Sequence, residues 1–396
     1  MNELSHAKTQ WIVWTLLCLM PIIGMCIDLV APSLPAIAQS FHVTSADAKN
    51  TISIYLLGFA LGNFLFGFLI DAYGRQTIIR ANLLGFVIAS MLPILFHHFD
   101  ILFLSRFLQG ITIGAVSVTL RSICADVLSS EQLTKLGPWF GTMWGIGPVF
   151  GPVLGGYFQM YWGWEAGFYF FTLIGAIAFI AILIVVPETH FNQHPLSFSR
   201  IRVNLSEVLK NPMFLGIIAL MGLSYSTLIV FNVSGPFLIQ TTLNHTPVFF
   251  GHLAFFLGVV FVLATFFGRY LISKYVIEKI WKTGIHLSLL VSLVSLIASY
   301  FFSHSVSAAI IISALLFISC GVLFPLSLGK GLSLFRHISG TATAFMYLVN
   351  ISITSLVSYF VSFFYMRSVV ELTAIYLFLI IGITFLYWTL LRPRAI

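Results

Sequence analysis

Residues 187–212 read "PETHFNQHPLSFSRIRVNLSEVLKNP", the longest polar stretch in a chain whose mean hydropathy is +1.02. Apolar runs of about 20 residues, the length an α-helix needs to cross roughly 30 Å of hydrocarbon, recur on both sides of it. They lie at about 11–31, 47–70, 77–96, 101–124, 136–158 and 166–186 before the stretch, and at 213–236, 248–271, 283–302, 306–328, 339–363 and 369–391 after it. The polar stretch therefore divides twelve expected spans into six and six. With 59% hydrophobic and only 8% charged residues, the composition excludes a soluble domain. A β-barrel would need segments of about ten residues with alternating polarity, whereas these runs are apolar on all sides. The fold class expected is an all-α polytopic membrane protein: a six-helix bundle over 1–186, a cytoplasmic linker over 187–212 and a second six-helix bundle over 213–396.

The second half should then repeat the first, and "GFLIDAYGR" after span 2 finds an echo in "GRYLISKYV" after span 8. Every other loop is short, which leaves no soluble domain to house an ATPase. The "GKG" at 329–331 has Phe324 where a phosphate-binding loop needs its first glycine. Energy for work must come from an ion gradient, with no cofactor and no metal. The first apolar run is too long for a signal-peptide core and contains Asp28, so it reads as a retained helix. Cys18, Cys26, Cys124 and Cys320 fall in or beside spans without disulfide or metal spacing and read as packing residues.

The net charge of +7 is explained by topology rather than by a polyanion partner. With loops numbered alternately from a cytoplasmic N-terminus, the cytoplasmic side receives Lys8, Arg75, Arg80, Lys135, Arg200, Arg202, Lys210, Arg269, Lys274, Lys279, Lys282, Lys330, Arg336, Arg392 and Arg394. The opposite side receives only Lys49 and Arg367, and Arg106 and Arg121 remain inside span 4. The positive-inside bias places both termini in the cytoplasm and agrees with an even number of spans. The partners expected are a small molecule and the lipid bilayer, not nucleic acid, with the chain acting as a monomer.

Among the twelve acidic residues, only Asp28 lies well inside a span. A carboxylate in hydrocarbon costs a few kcal/mol on insertion scales, so Asp28 is the candidate for picking up and releasing a proton. Its alternative is a structural pair with an arginine that never titrates. Arg106 is the expected partner: both residues count to within about 5–10 Å of the same membrane face at 1.5 Å per residue. Gln109, Gly110, Gly114 and Ser117 follow Arg106 along one side of span 4. Candidate cavity-lining groups without charge are Tyr55, Gln109, Tyr225, Asn232, Tyr347 and Asn350; the same polar residues also serve as glue between membrane helices. In the loop between spans 2 and 3, Gly67 would let backbones touch and Gly74 would permit a tight turn. Asp71, Arg75 and Asp126 are expected to form an ion-pair cluster that locks the two bundles together on the cytoplasmic side. In "GPVFGPVLGG" (147–156), Gly147, Pro148, Gly151, Pro152, Gly155 and Gly156 crowd six helix breakers into the outer half of span 5. They remove side-chain bulk and bend the helix, so that two bundles can close tightly there. HExxH, GxSxG and paired intramembrane carboxylates are all absent from the sequence, which argues against an intramembrane enzyme.

These motifs resemble those of the major facilitator superfamily, whose transporters are built from structural repeats. "GFLIDAYGR" is similar to the superfamily's loop 2–3 motif, "RFLQGITIGA" (106–115) to its span-4 motif and "GPVFGPVLGG" to its span-5 antiporter motif. "IDLVAPSLPAIA" (27–38), "SGPFLIQ" (234–240) and "HISGTATA" (337–344) resemble spans 1, 7 and 11 of the Bcr/CflA-type drug:proton antiporters. The chain departs from the pattern at Ala72 and Gln76, where the loop motif usually has basic residues, and at Arg121 and Cys124, where several relatives carry a further Asp or Arg–Asp pair. The resemblance implies a bacterial inner-membrane, proton-coupled antiporter that exports small amphipathic organic compounds by alternating access, in the manner of multidrug efflux and antibiotic resistance. Export of a dedicated endogenous metabolite such as a siderophore is the alternative, and proton-coupled uptake a further one.

Overall fold

The computed structural model describes residues 6–189, 198–335 and 338–391. Arg336, His337, Arg392, Arg394 and residues 190–197 of the expected linker lie outside the described residues. Twelve long helices follow one another: α1 (His6–Asp28), α2 (Ser45–Tyr73), α3 (Arg75–Leu95), α4 (Phe99–Val127), α5 (Ser130–Trp162), α6 (Glu165–Val185), α7 (Pro212–Pro236), α8 (Pro247–Lys274), α9 (Ile277–Phe301), α10 (Val306–Leu334), α11 (Ser339–Ser362) and α12 (Val369–Leu386). By length and composition, eleven spans among the described residues suit a bilayer, and α5 stands where the remaining one is expected. Part of the expected linker is itself a short helix, Phe198–Leu209.

Local chemistry sets the helix ends. Thr44 and Asp47 form a reciprocal capping box at the start of α2, as do Ser129 with Gln132 before α5 and Ser368 with Glu371 before α12. Asp47 and Glu371 are thereby accounted for as capping groups. Gly74, at φ +85°, is the single residue between α2 and α3, a backbone state that glycine adopts without steric penalty. Asn211 caps α7 ahead of Pro212, and Thr246 caps α8 ahead of Pro247, each proline sitting where its missing N–H is not needed.

Helix packing repeats with a shift of six. The pairs α2/α4, α3/α4, α3/α6 and α1/α5 in the first half recur as α8/α10, α9/α10, α9/α12 and α7/α11 in the second. Between the halves the principal contacts are α2 against α11 and α5 against α8. Both described chain ends lie on one side, here called the terminal side, and the opposite side is the far side. α1 does not stop at the far side where its apolar run ends. A turn after Asp28 leads into the helical turns Ala31–Ser33 and Leu34–Ser40, with Pro32 and Pro35 in their first positions, so the rod continues to Ser40. Asp28 therefore lies about 18 Å from that end, deeper in the membrane than the sequence count of three residues from the span's end predicts.

Candidate functional site

The site is built where α1, α5 and α7 meet. Asp28 ends the regular part of α1 and is 2% exposed. Its neighbour on α5 is Gly151, where a Cβ would stand 3.2 Å from the Asp28 Cβ, so this glycine clears room for the carboxylate. The Asn232 side-chain amide, carried by α7 of the other half, donates to Asp28 Oδ1. Asp28 Oδ2 is buried without a hydrogen-bond partner among the described residues. Beside them a cavity of about 30 Å³ is lined by Asp28, Trp144, Pro148, Tyr225, Asn232 and Phe317, among others. That is room for a water or two. Trp144 and Tyr225 meet in its lining with ring centroids 6.3 Å apart and ring planes tilted by 50°.

Arg106 does not pair with Asp28. Its Nη1 donates to Gln109 Oε1 at 2.8 Å, its Nη2 donates to the Cys26 carbonyl at 3.0 Å, and its guanidinium lies 4.3 Å from the centre of the Tyr55 ring. Gln109 passes the connection on to Ser90 Oγ at 2.8 Å, and Ser90 donates to the Phe86 carbonyl at 2.7 Å. The physical reason is direction: Arg106 is occupied along α4 and by the backbone of α1 two residues before Asp28, while the carboxylate faces α7. Tyr55 and Gln109 are fully buried in this network and do not line the cavity, contrary to the sequence expectation. Arg106 is a positioning residue that ties α1, α2, α3 and α4 together behind Asp28.

Of the other expected lining groups, Tyr225 and Asn232 reach the cavity. Asn350 is buried against α7, where Thr354 Oγ1 donates to the Gly222 carbonyl at 3.2 Å. Tyr347 lies under Arg121, whose guanidinium is 4.8 Å from the ring centre, a contact between α11 and α4 and so between the halves.

Residues 147–156 divide their small side chains between two partners. A Cβ at Gly147 would collide with the backbone of Gly24 and Met25 on α1, and one at Gly155 with the Leu29 backbone. On another face, Gly156 lies against the Pro247 and Val248 backbone of α8, and a Cβ at Gly251 would stand 2.5 Å from the Pro152 carbonyl oxygen. α5 is thus pressed between its own bundle and the other half, and it runs without a break through Pro148 and Pro152.

The far side is held by direct bonds between the halves. Gln240 Nε2 donates to the Pro32 carbonyl at 2.9 Å, Ser53 Oγ and Ser358 Oγ share a bond of 2.8 Å, and Ser355 Oγ donates to the Ser53 carbonyl at 2.7 Å. Lys49, counted among the far-side charges, is 0% exposed in the second turn of α2. Its Nζ donates to the Phe364 carbonyl at 2.8 Å and stands 5.1 Å from the centre of the Phe237 ring. The capping box starts α2 at Ser45 and so draws Lys49 into the helix.

On the terminal side Asp71, Arg75 and Asp126 do come together: Arg75 Nη1 meets Asp71 Oδ1 at 2.6 Å and Arg75 Nε meets Asp126 Oδ2 at 3.1 Å. Glu188 completes the cluster by accepting from the Arg75 and Gln76 amides at 3.0 and 3.1 Å, a carboxylate on the first turn of α3. Asp71, Arg75 and Asp126 all belong to the first half and Glu188 to the linker that follows it, so these bonds brace the first half, whereas the sequence reading expects a lock between the two bundles. Gly67 does not enforce close approach either, since a Cβ there would meet Ala344 and Val118 at 3.7 and 3.8 Å, ordinary contact. Glu188 falls in the polar stretch after the last apolar run, where no spacing signals its return to α3.

Comparison with known proteins places this architecture. The family model described as Major Facilitator Superfamily matches residues 16–358. An uncharacterized transporter of Rickettsia felis is 28% identical over 87% of this chain and 88% of its own length. The bicyclomycin resistance protein homolog of Haemophilus influenzae is 25% identical over 73% of each. The crystal structure of a D-xylose-proton symporter superposes with a TM-score of 0.74 over 98% of both chains at 14% identity, a likeness of fold. With twelve long helices packed in a six-fold shifted repeat and a family match over most of its length, the chain belongs to the Major Facilitator Superfamily of membrane transporters.

Proposed function

We propose that this transporter is a proton-coupled antiporter of the bacterial inner membrane that exports small amphipathic organic compounds by alternating access. The observation that carries the reading is the placement of Asp28: a buried carboxylate on one half, bound by Asn232 of the other, beside a small cavity between them. A charge-assisted bond of this kind contributes roughly 1.5–3 kcal/mol, enough to shift a two-state equilibrium by about ten- to a hundredfold. Proton uptake by Asp28 from the far side removes its charge, weakens the tie to Asn232 and to cargo, and favours release. Loss of the proton toward the terminal side restores the tie and closes the far side again. The drug-resistance name of the Haemophilus influenzae relative supports drug-like cargo, and the bias of basic residues toward the terminal side supports cytoplasmic termini.

The test is accumulation of a fluorescent lipophilic cation in inverted membrane vesicles when a pH gradient is imposed. Wild type is expected to accumulate the probe and Asp28→Asn, folded to the same extent, is expected not to. Gradient-driven accumulation by the variant would remove Asp28 from the coupling role. Absence of transport in both, with secretion of a cellular metabolite lost on deletion, would favour dedicated metabolite export.

A further inference from the structure

A groove opens on the lipid-facing side of the second half, bounded by α8, α9 and α10, far from Asp28. It has a volume of about 480 Å³, and its walls are apolar apart from Thr283, a Ser288–Ser319 pair bonded at 2.5 Å, and Lys279 at its mouth. The lining runs along α9 from Lys279 to Val291, twelve residues or about 18 Å. One leaflet of the hydrocarbon core is about 15 Å deep. The groove is therefore one leaflet deep and begins at the terminal-side turn between α8 and α9.

The charge at that turn is one-sided. Lys274, Lys279 and Lys282 are exposed there, and Arg269 stands one turn up α8. The ammonium groups of Lys274 and Lys279 lie over the rings of Tyr270 and Tyr275 at 4.7 and 4.9 Å rather than against a carboxylate. The acidic residue at this corner, Glu278, is engaged by Lys330 at 3.5 Å. Aromatic rings and lysines at the end of an apolar groove of this depth reproduce the layers of a lipid: phosphate at the interface, acyl chain below.

We propose that this groove is a binding site for an acidic phospholipid of the terminal-side leaflet, with one acyl chain along α9 and the phosphate held by Lys279 together with Lys274 and Lys282.

Native mass spectrometry of the purified full-length protein with equal amounts of phosphatidylglycerol and phosphatidylethanolamine tests the site. Wild type is expected to retain at least one phosphatidylglycerol with on the order of tenfold preference over phosphatidylethanolamine. The exposed triple substitution Lys274→Ala, Lys279→Ala, Lys282→Ala should abolish the preference, and Ser319→Phe, which fills the groove, should remove the retained lipid. Equal retention of both lipids by wild type, or an undiminished preference in the lysine variant, would overturn the proposal. Because the lysines are on the surface, their variant reports even if Ser319→Phe fails to fold. The outcome is independent of the transported cargo.

Discussion

A lysine fully buried between two halves of a membrane protein, with a carbonyl and a ring as partners, is a costly residue to keep closed. At Lys49 the acceptor is the Phe364 carbonyl, just past the C-terminal end of α11, where the helix dipole favours a cation. Separating the halves on the far side must break this bond, so Lys49 acts as a latch on the closed state. Lys49→Met is expected to raise thiol labelling from the far side at Ala31→Cys, a fully buried position on that side, by roughly tenfold in a background with Cys18→Ser. An unchanged labelling rate would show that the ammonium has no closing role. The terminal-side cluster is expected to grade by burial. The Arg75 side chain is 8% exposed and holds two carboxylates, while Asp71 is 56% exposed and holds one partner. Arg75→Ala should therefore lower stability in detergent by roughly 2–3 kcal/mol and Asp71→Asn by less than about 1 kcal/mol. Thermal melts of the two variants that move equally would contradict this ordering.

Among the elements, α5 shows how a helix of poor helix formers is stable when its neighbours require small residues. Its glycines are not equivalent. Gly147 meets the backbone of α1, Gly156 that of α8, and a Cβ at Gly145 would find nothing within 4 Å. Overpacking costs typically 1–3 kcal/mol. Gly147→Ala should accordingly destabilise the first half, Gly145→Ala should leave melting unchanged, and Gly156→Val should leave the fold intact while opening the far side, because its clash lies between the halves. Labelling at Ala31→Cys together with melting separates the three, and equal behaviour of Gly145→Ala and Gly147→Ala would refute the packing account. The spans, the glycine stripe and the one buried carboxylate among the described residues are legible in the sequence, because each is set by local composition and membrane thickness. The partners are not. Asn232 is 204 positions from Asp28 and Phe364 is 315 from Lys49, and no local periodicity encodes such pairings. The partners of Arg106 are hidden for the same reason: depth along two helices fixes how far apart two residues lie vertically but leaves open which way each side chain turns.

At the scale of the whole molecule, the two halves touch through α2 with α11 and α5 with α8, while Asp28 bonds across to α7. One of the bonds that shut the far side lies just beyond the end of α1 that carries the carboxylate, where Gln240 donates to the Pro32 carbonyl four residues past Asp28. On the proposed reading a proton at Asp28 and an opening of the far side are linked equilibria, and linkage is reciprocal: whatever the proton does to opening, opening does to the proton. This separates coupling from movement. Asp28→Asn, which keeps the shape of the side chain and its capacity to accept from Asn232, should still let the halves rock and exchange cargo across the membrane. It should lose only the response to the gradient. In vesicles loaded with unlabelled substrate, entry of labelled substrate by exchange is expected to persist above the level of empty vesicles, whereas uphill accumulation under a pH gradient falls to that level. Loss of both activities together, with the melt unchanged, would mean that Asp28 binds cargo or shapes the pathway rather than coupling it to protons.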